Sequence, residues 1–239
     1  MPAEPTAAGA DATAQQYNDI LDDLRAGWIR AFTSAYGLQT WTYVSASTFK
    51  TAGDYRTYFP KGTRIKLTQT SEKYFNVSAD PTYIGGGTDE TTITITGGSD
   101  YTLANAAITD PYYSQMLRPL GFPFWFNYVP SWGGFSADPS GVVAKFAVVG
   151  NLCYIRIHLG GMGASNATTL TFTLPIAALL VQHGIPGGTS HNNSTTEPRI
   201  GVINVSAASA TAQAYPTGEQ GTWSASGNKG IFPNFFYQF

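Results

Sequence analysis

The chain has 239 residues, of which 43% are hydrophobic and only 12% charged, about half the usual charged share, with 26 Gly, 14 Pro and a formal net charge of −2. That balance excludes a nucleic-acid grip, which needs a basic stripe to displace counterions, and it predicts an all-β protein with many turns and uncharged polar surfaces. No window approaches the roughly 18 consecutive apolar residues of a membrane span, so no membrane insertion is expected. The opening MPAEPTAAGADATAQ has neither the basic nor the apolar region of a signal peptide. The single cysteine, Cys153, offers no disulfide framework and is expected as a buried thiol.

Residues 1–10 are rich in Ala, Pro and Gly and are expected to form a flexible tail. From 11 to 37 the period turns helical. Tyr17, Leu21, Leu24, Trp28 and Phe32 recur at spacings of 4, 3, 4 and 4, Asp11 can cap the start, and Gly37 is the expected stop. Two packings stay open for this stripe, against the chain's own barrel or in a bundle around a symmetry axis.

Residues 38–113 predict a small β-barrel of five or six short strands. In TRIKLTQ, Ile65 and Leu67 point one way, and Arg64, Lys66 and Thr68 the other. Phe75 and Val77 share a face, as do Ile93 and Ile95. Glycine- and proline-bearing breakers separate the runs.

The run GDYRTYFPKGTRIKLTQTSEKYFNVS, then TTITITGGSDYTLANAAI and PYYS, resembles a module of tailed-bacteriophage virion proteins. The likeness covers about residues 40–128. It implies a place in a virion, assembled after synthesis in the host cytoplasm, and other virion proteins as partners.

Residues 114–140 are expected as a linker rich in aromatics and proline. Phe124, Trp125 and Trp132 are among its seven aromatics, and Pro119, Pro123, Pro130 and Pro139 interrupt regular structure. Such a segment either packs between domains or subunits or offers rings for sugars to stack on.

Residues 141–239 predict a second β unit. Gly150-Asn151 is a two-residue hairpin signal. Beyond it Cys153, Ile155, Ile157 and Leu159 share one face, and Tyr154, Arg156 and His158 the other. The strand TLTFTLP follows, then an apolar, turn-rich crossing from Pro175, a strand RIGVINVS and a final aromatic strand. The motifs VVGNLCYIRIHL and SNATTLTFTLPI, with the hydrophobic C-terminal strand, are similar to the trimeric jelly-roll heads of phage fibres, which are related in shape to the C1q and TNF folds. This likeness covers about residues 138–239. It implies a C-terminal jelly-roll β-sandwich and a homotrimer.

No nucleophile elbow, zinc motif or phosphate loop occurs, so a non-enzymatic protein with no cofactor and no metal is expected. The polar stretch 187–198, GGTSHNNSTTEP, is expected as an exposed loop. Its Ser190, His191, Asn192, Asn193 and Thr195 are the candidate recognition residues. Tyr17, Leu21, Leu24, Trp28, Phe32, Phe124, Trp125 and Trp132 are the candidate assembly contacts. The expected role is a tail-fibre or tail-tip adhesion protein that meets a host-surface glycan or protein. A capsid decoration protein or head fibre is the alternative, and a glycan-cleaving tailspike a more distant one.

Overall fold

The structure, a computed structural model, describes residues 17–31, 39–193, 199–217 and 221–239. It is mainly β with one short N-terminal helix, and its chain divides into two units. One is built from residues up to Thr94 together with Leu103–Pro123, and the other from Ile95–Thr102 and Phe124–Phe239.

Within the described residues the helix (α1) covers 17–25 and stops well before the expected Gly37. The reason is Gly27, which sits at φ 79°. Its N–H donates to Leu24 O (3.0 Å) while Trp28 N–H reaches Asp23 O (2.9 Å). These are the two bonds of a Schellman cap, whose left-handed residue costs glycine nothing. Trp28 therefore leaves the helical stripe. Its ring is buried, and its indole N–H donates to Leu120 O at 2.8 Å.

The first unit holds β1 (Ile29–Arg30), β2 (Trp41–Ser45), β3 (Thr48–Ala52), β4 (Arg64–Gln69), β5 (Ser71–Val77), β6 (Thr82–Ile84), β7 (Glu90–Thr96) and β8 (Thr109–Ser114). They make one eight-stranded sheet, with more strands than the five or six expected, in the order β1-β8-β4-β5-β7-β3-β2 with β6 on β7. The sheet curls, and its edges meet where Gln39 N–H donates to Ala31 O at 2.8 Å. The expected faces hold. Ile65, Leu67, Phe75, Val77, Ile93 and Ile95 are all buried. Phe49 stacks on Trp41 at 4.3 Å between centroids, and Phe59 meets both rings edge-on. Burying one such aromatic stabilises by about 1.5–3 kcal/mol.

The opposite face of β4 is not solvated. Arg64 is only 3% exposed. Lys66 Nζ lies 4.2 Å from the centroid of Tyr112 and 5.0 Å from that of Trp28, and the Arg64 guanidinium lies 6.0 Å from Phe122. Burial lowers the pKa of Arg64.

The second unit is a β-sandwich of antiparallel strands, compatible with a jelly roll. Its strands are β9 (Phe126–Tyr128), β10 (Trp132–Gly133), β11 (Val143–Val149), β12 (Leu152–His158), β13 (Gly163–Ala164), β14 (Leu170–Thr173), β15 (Gln182–Asn192), β16 (Arg199–Val205), β17 (Thr211–Tyr215), β18 (Asn228–Ile231) and β19 (Asn234–Gln238). One sheet runs β10-β14-β17-β16-β15-β18-β13, the other β19-β12-β11-β9. They pack through Phe172 and Phe235, 6.2 Å apart, and Tyr237 Oη donates to Ile176 O at 2.6 Å across the core. The chain changes sheets between β18 and β19, at Phe232-Pro233. The Gly150-Asn151 turn joins Val149 to Leu152 as expected. Two expectations give way here. The segment 114–140 is not irregular throughout, because β9 and β10 form between its prolines, and the crossing after Ile176 becomes the long strand β15 from Gln182.

Candidate functional site

Over its described residues, 187–193, the stretch expected as a recognition loop is mostly strand. Through Asn192 it belongs to β15, with Ser190 paired to Arg199 on one side and Ile231 on the other. A register shift between Pro186 and Gly188 absorbs the irregular sequence. Gly188 sits there at φ 88°, where a Cβ would lie 2.2 Å from Phe232 O, so only glycine fits. Ser190 is buried, and its hydroxyl donates to Pro216 O at 2.7 Å. Asn192 Oδ1 accepts from Ser224 N (3.0 Å) and Ser224 Oγ (2.8 Å). The His191 ring packs on Phe232, and Asn193 N–H donates to Asn228 O at 3.0 Å. The side chains of Ser190 and Asn192 are thus hydrogen-bonded within the unit. Thr195 lies outside the described residues.

The candidate assembly residues separate. Trp28 is core. Tyr17 and Leu24 are 63% and 55% exposed and share a helix face with Ile20, at 41%. Leu21 is half-buried beside them. Phe32 lies outside the described residues. Trp132 packs against Phe135 and Phe172. Phe124 meets Trp125 edge-on at 5.6 Å, and Trp125 is 38% exposed.

Trp125 leads to a surface that none of these expectations singled out, the outward face of the four-stranded sheet. Register places Asn127 of β9 opposite Lys145 of β11, Lys145 opposite Arg156 of β12, and Arg156 opposite Asn234 of β19. Directly opposed residues share a face. An amide, an ammonium, a guanidinium and a second amide thus form one row across all four strands. Beside it Val143 opposes His158, and Tyr154 opposes Phe236 with rings 5.3 Å apart. Trp125, Val143, Lys145, Arg156 and His158 line a groove of about 380 Å³, within the range of small-ligand sites.

Lys145 and Arg156 form no ion pair among the described residues. The acid held by this row is Asp100. Its carboxylate accepts from Asn127 N and Asn127 Nδ2, both at 2.8 Å. Like charges directly opposite on a sheet oppose its stability. The signal for this site lay in the sequence as one lysine inside the apolar VVAKFAVV and one arginine on the polar side of LCYIRIH. Their pairing depends on register, which no local pattern supplies.

Behind the row, the inner face of the same sheet carries Cys153. Its thiol is fully buried and pushed up to about 12 by burial. Burial also raises Tyr128 and Tyr237. A thiol so held stays protonated at neutral pH and is a poor nucleophile. Among the described residues no group of three His, Cys, Asp or Glu side chains is placed to hold a metal ion.

No protein-family model, curated protein or solved structure matches this chain.

Proposed function

We propose that the chain is a non-enzymatic virion component of a tailed phage, a tail-fibre or tail-tip protein that assembles as a homotrimer and touches the host surface. The resemblance of its two β segments to virion modules supports the virion setting. The observation that carries the assembly reading is the apolar stripe of α1. Tyr17, Ile20 and Leu24 are exposed on one helix face, as a helix joined to copies of itself requires. The consecutive Leu179, Leu180 and Val181 are also exposed, a further apolar surface suited to burial in an assembly. The outward groove of the four-stranded sheet supplies the contact surface, and several copies of it convert weak contacts into avidity.

The same uncovered helix fits docking on a capsid lattice, so a decoration protein or head fibre is the second reading. Sedimentation tests the trimer. The full chain should run at about three times 25.6 kDa, and Leu24→Asp should release monomers. A wild-type monomer at micromolar concentration would overturn it. Labelling the C-terminus on intact particles separates tail from head, and finding no label on any particle would remove the virion reading.

A further inference from the structure

We infer that the row Asn127–Lys145–Arg156–Asn234, with Trp125 beside it, binds a carboxylated sugar. The inference rests on the reading of the chain as a surface-contact protein and names the chemistry of the contact.

The starting point is the cross-strand Lys145–Arg156 pair. Two cations face each other in the middle of an exposed sheet, and neither has an ion-pair partner among the described residues. Asp100, the acid at the end of the row, is engaged by Asn127. A bound anion removes this repulsion, and the planar guanidinium can grip a carboxylate through two parallel hydrogen bonds. Charge alone would fit any acid. The rest of the groove selects further. The partly exposed Trp125 ring lines it together with both cations, and an aromatic face suits the apolar side of a pyranose. At the two ends of the row the exposed Asn234 presents an amide that both donates to and accepts from hydroxyls, and the exposed Asn127, whose Nδ2 donates to Asp100, offers its Oδ1 as an acceptor. His158 adds a further ring-nitrogen partner in the groove. A second copy of the chain is a poor occupant, because a symmetric contact through this row would set its cations against those of the partner.

The test is calorimetric titration of the full chain with four probes: tri-galacturonate, sialyllactose, the neutral galactose trisaccharide, and a glutamate peptide. At least one acidic sugar should bind, its affinity falling as salt is raised, while the neutral trisaccharide and the peptide bind at least about tenfold more weakly. Arg156→Gln and Lys145→Gln should each weaken acidic-sugar binding by about tenfold or more, the loss for removing one charge-assisted partner. Trp125→Ala should weaken it as well. Lys145→Gln should leave the unfolding midpoint unchanged or raised, so that its lost binding is not lost folding.

The inference is overturned if neither acidic sugar binds, if Arg156→Gln binds as wild type does, or if the glutamate peptide binds as tightly as the sugars, which would assign the groove to an acidic protein. Its failure is separate from failure of the assembly reading. A trimer that binds no acidic sugar removes only the ligand, and a monomer that binds through this row removes only the trimer.

Discussion

Two cation pairs on the outer faces of two sheets meet opposite fates. Arg64 and Lys66, two apart on β4, are covered by the first unit's own rings, Trp28, Tyr112 and Phe122. Lys145 and Arg156, opposed across β11 and β12, are left open beside a partly exposed Trp125. The ingredients are the same, cations among aromatics on a β surface. The difference is whether the chain supplies the cover. In the first unit Phe122, after β8, lies over the arginine, Tyr112 of β8 and Trp28, the residue after the Gly27 cap, lie over the lysine, and the cations become part of the packing. In the second unit no ring among the described residues is placed over either cation as Trp28, Tyr112 and Phe122 are in the first.

This contrast can be broken most forcefully at Trp28. Trp28→Ala removes a buried ring, its hydrogen bond to Leu120 and the roof over Lys66, and should cost about 3–5 kcal/mol in urea unfolding. Trp125→Ala should change stability by less than about 0.5 kcal/mol. Equal losses would mean that Trp125 is covered after all.

The inner and outer faces of the four-stranded sheet can be separated by pH. Cys153 is raised from 9.0 to about 12 in the fold, so between those values the folded chain holds a proton that the unfolded chain releases. Its contribution is complete below pH 9 and is lost as the pH rises towards 12. Stability should therefore fall above pH 9 by about 1.4 kcal/mol per pH unit from this group. Above pH 10 the loss should steepen, because Tyr128 and Tyr237 are raised too. Cys153→Ala should flatten the 9–10 portion of the curve, measured by urea midpoints. A wild-type midpoint constant from pH 8 to 10 would show the thiol to be hydrated.

The smallest effects are the sharpest, because they differ in sign. Lys66→Gln should destabilise by about 1 kcal/mol through the lost cation–π contacts. Lys145→Gln should stabilise by a few tenths of a kcal/mol through relief of the like-charge pair, and the gain should shrink as salt is added. Two losses of the same size would erase the distinction between the pairs.

Much of the fold was legible locally. The alternation in β4, β5, β7 and β12 assigns their buried faces because side-chain direction in a strand has a period of two, and the Gly150-Asn151 turn fixes its hairpin. What failed were places where one residue overrides a pattern. The helical spacing continues through Trp28 and Phe32, so Gly27 looks interior. Its left-handed conformation ends the helix, and Trp28 turns into the core. The polar stretch around Ser190 has the composition of a loop, yet its side chains are satisfied by Pro216 and Ser224, partners more than twenty residues along the chain. The candidate site was illegible for a related reason. Its four row residues come from strands spread between Asn127 and Asn234, and only the pairing of β9, β11, β12 and β19 brings them into line.

That pairing has a kinetic side. The four-stranded sheet carries the early β9 of the second unit on one edge and its last strand, β19, on the other, so its completion depends on the β12–β19 pairing, which joins residues as far apart in sequence as Leu152 and Gln238. Such closure is slow compared with hairpin formation. The β11–β12 hairpin can present Lys145 and Arg156 early, but Asn234 joins their row only when β19 docks after Pro233. Ligand affinity at this surface would then report the maturity of each molecule, since a partly folded chain would carry the charges without the finished row.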